Sequence, residues 1–439
     1  MSRKRPHRFA PAVLLAAVVL MLAACGVEYP NSTFNHTSDL NTAIDALWDR
    51  LLLLGTIVFV FVEVLLIFTI FKFRKRPGGA PAKQIHGHAA LEITWTVIPA
   101  LILVLIAVPT VRTIFKTQAK APAGSLEVTV IGHQWWWEFR YPSLGITTAN
   151  ELYIPAGKTV NFTLQSRDVI HSFWTPQLGG KRDLITNRTN YLWYTVNADL
   201  AENVFNGFCT EYCGASHANM RFRVYTVSPD KFDSWTKRQQ ANAAMSPIPS
   251  VAPAPVVAVA VAVTGVAGSK AKAPATPPTP AIQLAVDGYV YPLAQMPKWT
   301  MPQTPVPSEI KYDDALLAGG DSARGHEMVA NTKNMGTVPC LTCHIVRGEY
   351  TTMGLKDDVA AGPNLTHFAS RHTFAAGLYP TTPANLARWI KNAQVMKPGA
   401  LMTVLGAGEY NPMLKKTNGS TALDDRQIAD IVAYLMALK

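Results

Sequence analysis

Two long apolar runs lie in the first quarter of the chain. Residues 51–71 carry one charged residue, Glu63, and residues 91–111 carry Glu92 near their start. A helix of about 20 apolar residues can cross the hydrocarbon core of a bilayer. The pattern therefore predicts a two-helix transmembrane hairpin over residues 47–115, with both carboxyl groups at or near membrane depth.

A shorter apolar stretch precedes the hairpin. Residues 10–22 follow a basic start, which is typical of a secretory signal, and they are too few to span a bilayer. The sequence Leu22-Ala-Ala-Cys25-Gly is similar to the lipobox of bacterial lipoproteins, which implies cleavage before Cys25 and lipidation of its thiol. The alternative is ordinary cleavage with an unmodified Cys25. We expect a lipoprotein signal peptide over residues 1–24 and an exported N-terminal segment over 25–46.

The middle of the chain changes to a period of two. Residues 126–131, 159–164 and 221–225 alternate in side-chain character, and glycines and prolines mark turns between such runs. Alternation is typical of strands with one buried face, and short strands at this spacing favour a sandwich or barrel. We expect an all-β domain over residues 122–237. A stretch rich in Ala and Pro then predicts a linker over residues 238–307.

The last part of the chain has a helical period. Residues 315–331 are helix-like, and residues 424–437 place four apolar residues on one face: Ile428, Ile431, Val432 and Leu435. Asp424 and Gln427 have the spacing of a capping box at the start of that helix. We therefore expect a small all-α domain over residues 308–439.

The net charge of +11 is concentrated beside the apolar segments. Nine basic residues stand there without an acidic one among them: Arg3, Lys4, Arg5, Arg8, Lys72, Arg74, Lys75, Arg76 and Lys83. Basic loops stay on the cytoplasmic side, so the loop between the two predicted spans is cytoplasmic and everything after Val111 is outside. Because this distribution sets membrane topology, it argues against a nucleic-acid partner.

A cluster of sulfur and nitrogen donors follows the predicted strands. Cys209, Cys213, His217 and Met220 are spaced by four, four and three. The spacing also suits a helical stripe, but Gly214 and the polar residues between make a poor core helix. Zinc would use two Cys and two His and would leave the thioether without a role. Soft sulfur ligands favour copper, and two thiolates four residues apart suit a pair of copper ions bridged by both sulfurs.

This run resembles the binuclear CuA loop of cytochrome c oxidase subunit II, C-x-E-x-C-x-x-x-H-x-x-M. The upstream sequence Asp168-Val-Ile-His171-Ser-Phe-Trp resembles the family's second histidine motif. The resemblance implies a cupredoxin sandwich in which both cysteines bridge the copper ions. The resemblance also implies that His171 and Met220 complete one copper site. His217 and the backbone carbonyl of Glu211 would complete the other. The carboxylate of Glu211 would also bind Mg at the contact with subunit I.

The resemblance assigns two further roles. Gly132-His-Gln-Trp-Trp-Trp-Glu is similar to the family's aromatic motif, which makes Trp135 the residue where electrons enter. On one continuous strand, Trp135 and Trp137 would share a face, and we expect Trp136 and Trp137 to be core residues. Glu92 lies where the family has the glutamate at the mouth of the K proton pathway. The alternative for Glu92 is a glutamate at the cytoplasmic boundary. For Glu63 we expect a buried group bonded to a neighbouring helix.

A second redox motif occurs in the helical region. Cys340-Leu-Thr-Cys343-His344 is a c-type haem attachment sequence, with two thiols for the haem vinyls and an axial imidazole. Lys397-Pro-Gly-Ala-Leu-Met402 resembles the family's K-P-G-x-x-M, so Met402 is the expected sixth ligand, with Met413 and Met396 as alternatives. The resemblance implies a class I cytochrome c domain with covalent haem c.

Together these features resemble subunit II of a caa-type cytochrome c oxidase. The resemblance implies electron flow from cytochrome c or a quinol-oxidising complex through haem c and CuA to haem a of subunit I, where oxygen is reduced and protons are pumped. It also implies subunits III and IV as partners, the bacterial cytoplasmic (inner) membrane, and copper and haem domains on the periplasmic side. The alternatives are a subunit of a CuA-containing nitric oxide reductase and a copper carrier or assembly protein.

Overall fold

The computed structural model describes residues 15, 19, 29–74, 77–78, 84, 86–243, 288–330, 340–348 and 360–439. The predicted signal peptide, apart from residues 15 and 19, lies outside the described residues. So do Cys25, most of the basic loop and the linker over residues 244–287. Lipidation of Cys25 therefore stays a prediction.

Two long apolar helices form the N-terminal part, and both are long and apolar enough to cross a membrane. They are α1 (Asp39–Lys72) and α2 (Ala89–Gln118). Each starts with a side-chain cap, because the hydroxyl of Ser38 accepts from Asn41 N and the ring of His88 accepts from Leu91 N. The two helices lie against each other and expose their apolar side chains, as the predicted hairpin requires.

Two five-stranded sheets form the middle of the chain. The strands are β1 (Leu126–His133), β2 (Trp136–Tyr141), β3 (Ile146–Ala149), β4 (Glu151–Pro155), β5 (Thr159–Ser166), β6 (His171–Trp174), β7 (Arg182–Leu184), β8 (Asn190–Thr195), β9 (Asn203–Cys209) and β10 (Arg221–Val227). One sheet has the order β3-β2-β1-β5-β8 and the other has the order β4-β10-β9-β6-β7. The predicted all-β sandwich is confirmed.

Aromatic rings fill the space between the two sheets. In β5, alternate residues are buried, so the period of two in the sequence corresponds to one core face. Trp137 and Phe222 have ring centroids 5.3 Å apart, and Phe173 stacks on Phe222 at 4.7 Å. Trp137 is completely buried, which confirms its expected core role. This packing holds the ends of β6 and β9 at one edge of the sandwich, where the copper ligands were predicted.

The start of α1 is attached to the sandwich. Leu40 and Asn41 are buried, and the hydroxyl of Ser38 donates to Leu178 O at 2.5 Å. The carboxylate of Asp39 accepts from the backbone N–H of Thr195 at 2.8 Å. The first turn of this helix is therefore part of the sandwich, and the rest of the helix continues into the membrane span.

A helical domain ends the chain. Its helices and short strands are α4 (Ser322–Ala330), β11 (Thr373–Phe374), β12 (Tyr379–Pro380), α5 (Pro383–Lys391), α6 (Ala393–Met396), β13 (Tyr410–Asn411), β14 (Lys416–Thr417) and α7 (Asp425–Leu435); α3 (Pro229–Gln240) precedes it and packs on the sandwich. The predicted capping box of Asp424 and Gln427 is present at the start of α7. Ile428 and Ile431 are buried against α4, as the apolar face predicted.

The sandwich and the helical domain touch through polar groups, of which Glu151 is buried. The carboxylate of Glu151 in β4 accepts from the backbone N–H groups of His372 and Thr373, at 2.8 and 3.0 Å. The guanidinium of Arg347 donates to the carbonyl of Gln240 at the end of α3. Tyr291, which the sequence placed in the linker, packs in the core of the sandwich. The two domains therefore share an ordered interface.

Candidate copper centre and haem site

The cysteine loop places two sulfurs side by side. Cys209 ends β9, Cys213 lies in the following loop, and their Sγ atoms are 3.7 Å apart. Both side chains are buried. Residues 209–220 form a strand end, a loop and one 3-10 turn at His217–Asn219, so the helical alternative for this run is wrong.

Four other donor groups surround the two sulfurs. Their atoms and distances are His171 Nδ1 at 3.8 Å and Glu211 O at 3.3 Å from Cys209 Sγ, and His217 Nδ1 at 3.6 Å and Met220 Sδ at 3.9 Å from Cys213 Sγ. The structure thus brings all six expected ligand residues together from two separate segments. A single tetrahedral zinc would leave the thioether and the carbonyl unused, whereas soft sulfur donors suit copper. The donor set fits a copper pair.

Asp168 fixes the orientation of the His171 ring. Its carboxylate lies 2.8 Å from His171 Nε2 and also accepts from the backbone N–H of Gln134 at 2.7 Å. Burial lowers the pKa of His171, but the hydrogen bonds to Asp168 and Cys209 outweigh it and raise the pKa overall. Because Nε2 is bound to the carboxylate, Nδ1 is left to face the sulfurs. A ligand imidazole commonly has a carboxylate partner of this kind.

The two thiols influence each other. The hydrogen bond with Cys213 is the main reason that the pKa of Cys209 falls to about 4, and that contact raises the pKa of Cys213. One thiolate therefore forms readily, and the second forms only with a positive charge to balance it. A metal ion supplies that charge, since thiolate is the form that binds metal.

Trp135 bonds to the cysteine loop and also contacts the helical domain. Residues 134 and 135 form the turn between β1 and β2, so the expectation of one continuous strand through the three tryptophans is wrong. The indole Nε1 of Trp135 donates to the carbonyl of Cys213 at 3.0 Å. The side chain is only 9% exposed, because the helical domain covers it. A Cβ at Gly399 would lie 2.9 Å from Trp135 Cζ3, so only glycine permits this close approach.

The haem attachment motif forms a turn that presents its histidine to the domain interior. Residues Cys340–Thr342 form a 3-10 helix, and the backbone N–H of His344 donates to Cys340 O at 3.0 Å. His344 Nδ1 lies 2.8 Å from the carbonyl of Pro363, which leaves Nε2 for an axial bond. A Cβ at Gly362 would lie 2.6 Å from the ring, so a glycine is required beside it. These residues fit a covalently held haem.

The three candidate methionines occupy different environments. Met402 is partly buried and packs against the hydrophobic core of the helical domain. Met396 is inside that core, and Met413 is 63% exposed near the β13–β14 hairpin. The choice of Met402 as sixth ligand stays a prediction.

Known proteins match this chain in each of its regions. The family profile for the transmembrane domain of cytochrome c oxidase subunit II matches residues 31–113, the profile for its periplasmic domain matches residues 144–227, and the cytochrome c profile matches residues 322–439. Cytochrome c oxidase subunit 2 of Alkalihalophilus pseudofirmus is 42% identical over 399 residues, which are 88% of this chain and 86% of the relative. The chain belongs to the cytochrome c oxidase subunit II family.

Other members of the cytochrome c oxidase subunit II family match parts of the chain. Cytochrome c oxidase subunit 2 of Bacillus subtilis is 36% identical over 52% of this chain and 67% of its own length. The crystal structure of the periplasmic domain of subunit II of the cytochrome oxidase of Bradyrhizobium japonicum is 28% identical, with a TM-score of 0.26, and covers 28% of this chain and 97% of that one. The chain is thus a subunit of an oxidoreductase complex, with a transmembrane hairpin, a copper domain and a cytochrome c domain.

Two acidic residues with predicted roles are exposed in this cytochrome c oxidase subunit II. The carboxylate of Glu92 accepts from the backbone N–H of His88 at 3.1 Å, so it also caps the first turn of α2. Glu211 is exposed, while its backbone carbonyl lies 3.3 Å from Cys209 Sγ. The proton-pathway role of Glu92 and the Mg site at Glu211 stay predictions.

The sequence reading missed three residues that shape the copper centre. A Cβ at Gly132 would lie 2.7 Å from the His171 ring, so this glycine makes room for the ligand. Asp168 belongs to the histidine motif, but its place in that motif does not show that it orients His171. Lys397 belongs to the methionine motif, and the structure buries it in contact with the Trp135 backbone. Gly132 and Lys397 are distant in sequence from the residues they contact, His171 and Trp135, so the spacing of motifs along the chain does not predict these contacts.

Proposed function

We propose that this subunit receives electrons at its haem c and passes them through CuA to haem a of subunit I, where oxygen is reduced to water. When bound, the haem and the copper pair would supply one-electron chemistry, while the chain holds the domain with Cys340 and Cys343 against the copper domain. The observation that supports this most directly is that the domain carrying Cys340 and Cys343 packs on Trp135, whose indole is bonded to the Cys213 carbonyl.

The surroundings of both centres favour electron transfer over substrate chemistry. Four of the expected copper ligands are buried, namely His171, Cys209, Cys213 and Met220, and each histidine or sulfur faces another donor, so little room is left for a substrate at the metal. The ring of His171 is hydrogen-bonded to Asp168, and it lies so close to Gly132 that a Cβ there would clash with it. A rigid ligand set changes little when one electron is added or removed, which keeps such transfer fast.

The transmembrane hairpin determines which other subunits this chain would contact. The hairpin would pack against subunit I, with subunits III and IV completing the complex in a bacterial inner membrane. The exposed loop residues Glu211 and Tyr212 would face subunit I, where the Glu211 carboxylate would bind Mg. Glu92 would stand at the entrance of a proton pathway shared with subunit I. The donor would be cytochrome c or a quinol-oxidising complex.

A test uses the purified oxidase complex. A photoreductant delivers one electron to haem c, and absorption then follows haem reoxidation and reduction of the copper pair. We expect the electron to appear at CuA before haem a, and the complex to consume oxygen with a reduced external donor. Reduction of haem a without any change at CuA, or turnover of nitric oxide without turnover of oxygen, would contradict the proposal.

A further inference from the structure

Lys397 is a buried lysine at the contact between the two redox domains. It belongs to the helical domain, follows α6, and is only 4% exposed. A lysine is seldom fully buried unless a partner compensates the loss of water around its ammonium group. The position of Lys397 therefore calls for a function at this contact.

The ammonium of Lys397 bonds to a backbone group of the copper domain. Its Nζ donates to the carbonyl of Trp135 at 2.5 Å and to the carbonyl of Ala375, in its own domain, at 3.4 Å. Within the described part of the chain, no ion pair includes this lysine. The indole of Trp135 in turn donates to the carbonyl of Cys213. Trp135 therefore connects the ammonium of Lys397 to an expected copper ligand through two hydrogen bonds.

The two residues after Lys397 make the same contact tighter. The hydroxyl of Ser216 donates to Pro398 O at 2.5 Å. Gly399 has a φ of +87°, and a Cβ there would lie 2.9 Å from the Trp135 ring and 3.1 Å from the Ala215 Cβ. Residues 397–399 thus form a strap that lies on Trp135 and leads directly to Met402.

The other side of the strap is fixed within the helical domain. The backbone N–H of Lys397 donates to Ala393 O at 2.8 Å, and the hydroxyl of Tyr379 donates to Met396 O at 2.7 Å. Because the strap is held on both sides, the hydrogen bond of Lys397 at its first residue would control how closely the domains approach.

We propose that Lys397 is a positioning residue for electron transfer between the domains, whose ammonium holds the strap 397–399 against Trp135. This rests on the proposed function and adds to it the group that keeps the haem domain docked. Without the ammonium, the Trp135 carbonyl loses a charged donor. A bond of that kind contributes about tenfold or more to an equilibrium constant, so the docked state should lose about that factor.

The experiment compares Lys397→Met with the wild type in the intact oxidase complex. Lys391→Met is the matched control, because Lys391 is also a mostly buried lysine of the helical domain but pairs with Asp425, away from the copper domain. The readouts are the rate of haem-to-CuA transfer after photoreduction, its dependence on ionic strength and viscosity, and hydrogen exchange of residues 134–137 and 213–217.

We expect Lys397→Met to slow the transfer about tenfold, to make it depend on viscosity, and to speed exchange in both segments, while the haem spectrum is unchanged. Lys391→Met should transfer at the wild-type rate. Wild-type rate and exchange in Lys397→Met would overturn the proposal. If Lys397→Met fails to hold haem, Lys397→Gln carries the same test. Absence of haem-to-CuA transfer in the wild type would instead overturn the proposed function.

Discussion

At the scale of single residues, the copper ligands depend on neighbours that bind no metal. The pKa of Asp168 is lowered because its hydrogen bond with His171, together with the backbone N–H groups of Val169 and Gln134, outweighs its burial. The carboxylate therefore remains ionised and keeps the imidazole in one orientation. A ligand that is already oriented binds its metal with less loss of conformational entropy.

Asp168→Ala should weaken copper binding by about 10- to 100-fold, the range typical for loss of a ligand's hydrogen-bond partner. The His171 ring would lose its acceptor at Nε2 and would rotate more freely. Competitive titration of copper, followed by the absorption of the copper–thiolate centre, measures the change. Asp168→Asn retains an acceptor oxygen and should bind copper more tightly than Asp168→Ala; equal weakening in both variants would show that the charge alone matters.

At the scale of elements, the first turn of α2 contains Glu92, whose carboxylate caps the helix and also has the proposed role in the proton pathway. Glu92 accepts from the His88 N–H, so its carboxylate satisfies one of the free donors at the start of that helix. An acidic group in the first turn also interacts favourably with the helix dipole. Loss of activity in a Glu92 variant could therefore come from a frayed helix or from a lost proton carrier, and the two causes call for different substitutions.

Glu92→Gln keeps the acceptor oxygen and removes the carboxyl group that carries a proton. We expect it to slow oxygen reduction at least about tenfold with the complex intact, since proton transfer by a positioned side chain typically contributes about 10²- to 10⁴-fold. Oxygen uptake measures the rate, and melting of the purified complex reports its assembly. Wild-type uptake in Glu92→Gln with slower uptake in Glu92→Ala would assign Glu92 a capping role only.

At the scale of the whole molecule, the interface between the two domains is polar and buried. It includes a small cavity lined by Glu151 and Gln239 of the copper side and by His367 and Arg371 of the helical domain. Burial, together with the nearby cations Arg238 and Arg371, lowers the pKa of His367 to about 4. Neutral His367 is therefore the form that the docked molecule prefers.

Acid should loosen this interface. The pKa of His367 is about 6.5 when free and about 4 when buried. The stability that neutral His367 gives the folded state is therefore complete above pH 6.5 and is lost as the pH falls towards 4. The loss is up to about 3 kcal/mol. Thermal unfolding of the helical domain between pH 7 and 4 measures it, and His367→Gln should reduce the slope with pH. An identical slope in that variant would place the acid sensitivity in other groups.

The sequence by itself determined the elements and the redox motifs. Apolar runs, a period of two and a helical period follow from local rules for side-chain direction, so they predicted the hairpin, the sandwich and the final helix with its capping box. The copper loop and the haem motif are short, so their spacing is visible along the chain. Spacing left open whether residues 209–220 were a helical stripe, a zinc site or a copper site.

Only the tertiary structure decided how distant segments meet. Contacts such as Glu151 with Thr373, Lys397 with Trp135 and Gly132 with His171 join residues whose separation in sequence carries no periodic signal. The turn at Trp135 also depended on tertiary packing, because the local pattern of three tryptophans favoured a continuous strand. Docking of the helical domain on the copper domain comes from packing and buried polar contacts, which no local pattern encodes.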